Sequence, residues 1–154
     1  MNTLNRTRRR LLKASGATAL ITAFGGTMLG TAQSAGAQSV KTLRWGIVGT
    51  GGIANSMAGM IKMADASEIG AVSSRRMETA KAFANDHDVP NAFDSWQEMI
   101  DSDLVDAIYV ATPHPGHAEW AIKAAEGGKH VLCEKPMGLT AFEADAMFHA
   151  ARKA

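Results

Sequence analysis

The stretch Leu43-Arg44-Trp45-Gly46-Ile47-Val48-Gly49-Thr50-Gly51-Gly52-Ile53-Ala54 decides how this chain folds. Its first six residues are short, apolar and β-branched towards the end, the pattern of a strand, and they run directly into a glycine-rich turn. From Ile53 the apolar period changes, with Ile53, Met57, Met60 and Ile61 recurring on one face of a helix. A strand, a glycine turn and a helix start, in that order, give the spacing G-x-G-x-x-A its meaning. Gly49 permits the tight turn, Gly51 lets the backbone approach a pyrophosphate without a Cβ in the way, and Ala54 keeps the helix close to the strand. The free N–H groups and positive dipole end of that helix then hold the anion.

The alternation continues to the end of the chain. Strands are predicted over 69–73, 107–112 and 130–134, the second of these a nearly continuous apolar run of the kind covered on both faces. Helices are predicted over 77–85, 95–100, 117–126 and 141–152, with Ser95/Glu98 and Thr140/Glu143 each placed as a capping box. Strands alternating with helices at this spacing predict an α/β fold, a doubly wound parallel sheet of Rossmann type with right-handed crossovers.

Composition narrows the function classes. Residues 1–37 carry five basic residues and no acids, whereas eleven basic and fifteen acidic residues follow from Gln38 onward, so the body is mildly acidic. That balance gives no electrostatic footprint for nucleic acid or anionic lipid. The single cysteine, Cys133, excludes an internal disulfide and a cysteine-rich zinc site, and no metal is expected. Cys133 and the nine methionines are expected as core filler.

The first 37 residues are expected to be an address. Thr7-Arg8-Arg9-Arg10-Leu11-Leu12-Lys13 sets adjacent arginines before an apolar pair, and an uncharged stretch interrupted by Gly16, Gly25 and Gly26 follows. That stretch is too polar for a stable membrane span, and Ala35-Gly36-Ala37 offers the small residues of a cleavage site. The order matches a twin-arginine signal, which predicts dealings with the Tat export machinery, cleavage after Ala37 with Ala32 as the alternative, and a periplasmic mature domain over 38–154.

The end of the second strand tests which dinucleotide fits. NAD-binding domains place an acid there, about 20 residues beyond the glycines, for the ribose hydroxyls. This chain reads Ser73-Ser74-Arg75-Arg76 instead. An arginine pairs with a 2′-phosphate that a carboxylate would repel, so NADP is expected, with NAD as the alternative.

Two further segments, Ala111-Thr112-Pro113-His114-Pro115-Gly116-His117 and Gly128-Lys129-His130-Val131-Leu132-Cys133-Glu134-Lys135-Pro136, carry a resemblance. Over roughly 43–154 the chain resembles the glucose-fructose oxidoreductase and inositol dehydrogenase family, Gfo/Idh/MocA, of which Glu-Lys-Pro after a βα unit is the most specific mark. The resemblance implies a hydride exchanged between NADP and a sugar or polyol. It implies that Gly49, Thr50, Gly51, Gly52 and Ile53 line the pyrophosphate, and that Ser74 and Arg75 meet the adenosine 2′ side. Thr112, Pro113 and His117 are then expected near the nicotinamide ribose, and Glu134 and Lys135 at the nicotinamide edge, with Lys135 bonding the reacting hydroxyl and supporting proton transfer. A lysine at the C-terminal end of a strand is where open α/β sheets bind ligands.

Members of that family follow this domain with a second one, built on an open β-sheet, that shapes the substrate pocket, supplies an Asp and a His to the acid–base set, and often forms the subunit interface. The chain is therefore expected to be the amino-terminal portion of such an enzyme, with homo-oligomer contacts depending on the domain not present here. The alternative expectation is a truncated, non-catalytic dinucleotide-binding module or gene fragment.

Overall fold

The computed structural model describes residues 40–154, so the leader expected over 1–37 lies outside the described residues. Five strands form one parallel sheet in the order β3-β2-β1-β4-β5. They are β1 (Leu43–Val48), β2 (Ser67–Ser73), β3 (Ala92–Phe93), β4 (Ala107–Val110) and β5 (His130–Cys133). The helices α1 (Gly52–Met63), α2 (Met77–Asp86), α3 (Trp96–Asp101) and α4 (His117–Glu126) connect them, and α5 (Ala141–Lys153) follows β5. This is the expected Rossmann-like architecture: helices link the parallel neighbours β1–β2, β2–β3 and β4–β5, and the connection through α3 carries the chain from β3 at one edge across to β4.

The sheet is covered on both faces in its middle and builds two hydrophobic layers by strand alternation. Ile47, Val72 and Tyr109 face Ala54, Ala58, Ile61 and Phe83 on α1 and α2. Val48, Ala71, Ile108 and Val110 face Met99 and Ile100 on α3 and Ala118, Ala121 and Ala124 on α4. The row of alanines lets α4 lie close to β4, and Met147 on α5 joins the same layer. Among the described residues no helix is long and apolar enough to cross a membrane.

β3 is a two-residue strand that the sequence pattern does not announce. Asn91-Ala92-Phe93-Asp94 has no alternation to read, yet Val72 N–H donates to the Asn91 carbonyl over 2.9 Å and Ser74 N–H to that of Phe93 over 3.1 Å. Those bonds fix the exit of β2, where Ser74 and Arg75 stand. Cys133 is half-buried rather than a core residue, because its face of β5 is only partly covered by α4 and α5. Burial pushes its thiol up to about 11, which keeps it protonated and a poor nucleophile.

Candidate active site

In a parallel sheet all the C-terminal strand ends share one edge. β1 continues into Gly49–Gly52, β2 into Ser74 and Arg75, β4 into Thr112 and Pro113, and β5 into Glu134 and Lys135. The connection from β1 runs to β2 on one side, while β4 lies on the other, so the crevice between β1 and β4 is the topological switch point at which open α/β sheets bind ligands.

The glycine turn shows two separate reasons for its glycines. Gly49 has φ +106°, and a Cβ there would lie 2.6 Å from the Ala111 carbonyl oxygen, so it closes the turn against β4. Gly51 is different, because a Cβ on it would meet nothing within 4 Å. The protein itself leaves that space open at the start of α1. Whereas Ser95 caps α3 and Thr140 caps α5 through their side chains, α1 begins on Gly51 with no side-chain cap and no acid in its first turn. Its first N–H groups and dipole are left for an anion.

A chain of hydroxyls joins this turn to the end of β2. Thr50 Oγ1 lies 3.5 Å from Ser74 Oγ, Ser74 Oγ is 2.7 Å from Thr79 Oγ1, and Thr79 donates to the Arg76 carbonyl over 2.9 Å. Ser74 is thereby set between the glycine turn and α2, with Arg75 exposed beside it. Arg75 borders a shallow recess with Asp94, Trp96, Glu119 and Trp120, whose two indoles meet edge to face at 4.2 Å. The sequence reading did not single out these tryptophans.

On the other side of the crevice Thr112 is 8% exposed, and its Oγ1 is buried without a hydrogen-bond partner. Such an orphan at the mouth of a switch point is a polar group available to a bound molecule. Pro113 is exposed next to it, and Ile53 exposes nearly half its surface at the start of α1. His117, expected with them near the nicotinamide ribose, has no exposed surface, its ring nitrogens 2.7 Å from the Pro136 carbonyl oxygen and 2.9 Å from that of Thr112. Its ring ties the exit of β4 to the segment after β5 and faces the protein, not the open edge.

Glu134 and Lys135 extend β5 to the same edge. The Tyr109 hydroxyl donates to Glu134 Oε1 over 2.6 Å, and Lys135 N–H donates to Oε2 over 3.1 Å. The phenol bond first, and the Lys135 amide second, hold the Glu134 carboxyl below its ordinary range. Burial, reinforced by Glu134, pushes the Tyr109 phenol well above its usual range, so it stays a donor. Lys135 is exposed, and beside it a largely apolar recess of about 320 Å³ is lined by Val131, Cys133, Met137, Met147 and Phe148.

Uncapped helix, open space at Gly51, an orphan hydroxyl at the switch point and an exposed cation at the end of β5 define a dinucleotide-binding domain with a polar group poised beside the ligand. Residues 43–154 match the family described as oxidoreductases with an NAD-binding Rossmann fold, and the chain belongs to it, the Gfo/Idh/MocA family. Over 112 residues it is 41% identical to the trans-1,2-dihydrobenzene-1,2-diol dehydrogenase of Bos taurus and 38% identical to that of Homo sapiens, in both cases across 71% of this chain. The alignments cover 33% and 34% of those proteins, so the chain spans about a third of their length. Among solved structures it is similar to a 3-ketoreductase from Actinomadura kijaniata in complex with NADP and TDP-benzene, with a TM-score of 0.70 and 32% identity over 73% of this chain and 35% of that one. It is also similar to the WlbA dehydrogenase of Bordetella pertussis in complex with NADH and UDP-GlcNAcA, with a TM-score of 0.69 and 29% identity over 73% of this chain and 35% of that one. The two complexes hold different dinucleotides, so likeness of fold leaves the choice between them to local residues.

Proposed function

We propose that this chain is the cofactor-binding portion of an exported, NADP-dependent oxidoreductase acting on the CH–OH group of a sugar or polyol. The observation that carries the reading is the pairing of an uncapped α1 N-terminus with unfilled space at Gly51, on the edge where Arg75, Thr112 and Lys135 also emerge. The residues present fit a dinucleotide. Gly49, Thr50, Gly51, Gly52 and Ile53 would hold the pyrophosphate, Ser74 and Arg75 the 2′-phosphate, and Thr112 and Pro113 the nicotinamide ribose. When bound, the nicotinamide supplies a carbon that accepts or returns a hydride.

The chain's own contribution is to bind, orient and manage a proton. The α1 dipole and free N–H groups bind the pyrophosphate without needing a cation. The Arg75 guanidinium matches a 2′-phosphate with two parallel charge-assisted donors and gives a free 2′-hydroxyl nothing comparable. The Lys135 ammonium holds the reacting hydroxyl oxygen by donating to it and steadies the negative charge that grows there as the hydride leaves the carbon. The hydroxyl proton goes to a base on the substrate side in oxidation and comes back from it in reduction, while the ammonium keeps its own protons. Relatives named for a diol and a neighbour in complex with UDP-GlcNAcA support a hydroxylated substrate for this chain also.

The test is to titrate the purified chain with NADPH and NADH, following tryptophan fluorescence, and to assay turnover with polyols and aldoses. NADPH is expected to bind the more tightly. Lys135→Met should leave that affinity in place and, assayed in a protein that also carries the substrate-side base, lower turnover roughly 10²- to 10³-fold, the usual loss when one donor to a developing oxyanion is removed. A chain that binds neither dinucleotide overturns the reading.

A further inference from the structure

Lys135 itself makes no side-chain hydrogen bond or ion pair among the described residues, yet the backbone on either side of it is tied down. Behind it, Pro136 offers its carbonyl to the His117 ring at 2.7 Å. Ahead of it, Glu134 has both carboxylate oxygens engaged, one by Tyr109 from the neighbouring strand and one by the Lys135 amide. We propose that Tyr109 is a positioning residue for Lys135, acting through Glu134: the phenol fixes the carboxylate, and the carboxylate fixes the peptide that carries the lysine. The proposal deepens the assignment of Lys135 and rests on it.

The register of the sheet makes the contact possible. Tyr109 is paired with Leu132, and Glu134 lies two residues beyond Leu132, on the same face of β5. The phenol reaches forward along the strand direction to meet the carboxylate. Packing alone does not call for a hydroxyl here, because Tyr109 is 1% exposed among Ile47, Val72 and Phe83, a setting that phenylalanine would also fill. The hydroxyl has one partner in the structure, and that partner precedes Lys135. Lys135, His117, Cys133 and Tyr109 are the titratable groups that act on Glu134 or are acted on by it. A group that must meet a reacting oxygen needs its backbone held to within a fraction of an ångström, and a free ammonium on a fixed peptide satisfies that.

The experiment compares the unsubstituted chain with Tyr109→Phe by carbon NMR of labelled glutamate carboxyls and by amide hydrogen exchange. In Tyr109→Phe the Glu134 carboxyl is expected to titrate higher than in the unsubstituted chain, because its strongest hydrogen bond is gone. The Lys135 amide should exchange about tenfold faster, while the Glu134 amide, bonded to the Val110 carbonyl, keeps its protection. A uniform loss of protection across β4 and β5 with the Glu134 titration unmoved assigns Tyr109 a structural role only and overturns the proposal. Should Tyr109→Phe fail to fold, the unsubstituted chain still decides. Glu134 must titrate below the ordinary glutamate value of about 4.3 and the Lys135 amide shift must follow that same titration, and absence of either overturns the proposal. NADPH titration of the same sample separates this from the functional reading: a chain with the coupling intact that binds no dinucleotide loses the function and keeps the clamp, and the reverse result loses only the clamp.

Discussion

A Cβ built on Gly49 falls 2.6 Å from the carbonyl oxygen of Ala111, so β1 and β4 diverge into the ligand crevice around a position that admits only glycine. Two residues on, Gly51 has no such conflict. The two glycines therefore separate folding from binding. Gly49→Ala forces a β-carbon into φ +106° against backbone and is expected to destabilise the fold by about 1–3 kcal/mol. Gly51→Ala should leave the melting temperature nearly unchanged but weaken NADPH binding at least about tenfold, because its methyl occupies the approach to the α1 N-terminus. Thermal melts and NADPH titrations of both variants check this, and equal loss of stability in the two would remove the distinction.

Arg75 stands exposed beside Ser74 at the end of β2. Arg75→Ala is expected to weaken NADPH binding roughly ten- to hundredfold, the worth of a charge-assisted bond to phosphate, with NADH affinity changing less than about twofold. Parallel titrations with the two cofactors read the difference. The same loss for both would withdraw the reason for naming NADP.

The parts of the fold legible in the sequence were those carried by local period and turn chemistry. The glycine turn after an apolar strand and the apolar run leading to Thr112 reappear as elements, and Thr140 and Glu143 form the expected reciprocal capping box, whereas at Ser95 the hydroxyl accepts from the Glu98 N–H without a return bond from the Glu98 side chain. What escaped depends on neighbours distant in sequence. β3 is defined by two bonds from β2, which no pattern within four residues signals. Tyr109 reads as one more core residue of a central strand, since its partner is set by the β4–β5 register. His117 reads as a ligand contact from its place in a motif, and only burial shows it turned inward between two carbonyls.

Export is a separate question, and it rests on Arg8 and Arg9, which lie outside the described residues. Under the proposed export, a route that moves folded proteins would allow the dinucleotide to be loaded in the cytoplasm first. Replacing both arginines by lysine keeps the charge and removes the pair, and it is expected to retain the protein inside the cell. Fractionation of cells expressing each form gives the answer, and undiminished export of the lysine variant would rule out the twin-arginine assignment.

At the opposite end of the sheet from the site, Asp106 binds β1 to β4 in a way that should make stability depend on pH. Arg44 donates to it through Nε at 2.9 Å and Nη2 at 2.8 Å, and through its backbone N–H at 3.1 Å, with Lys41 adding a longer contact of 3.3 Å. The Arg44 side-chain bond first, and its backbone bond second, hold the Asp106 carboxyl far below the usual carboxylate range, while Asp106 in turn raises Arg44. A carboxyl whose folded value is depressed stabilises the fold fully above its unfolded value, about 3.9, and loses that contribution as pH falls from there towards the folded value. Asp106→Asn is thus expected to melt lower by on the order of 5 °C at neutral pH, with the gap closing as pH falls below about 4. Arg44 is partly exposed, so added salt should narrow the gap as well. Melting curves of both forms across that range decide the matter: a gap that persists unchanged into acid would mean that Asp106 acts through its hydrogen-bond geometry alone and not through its charge.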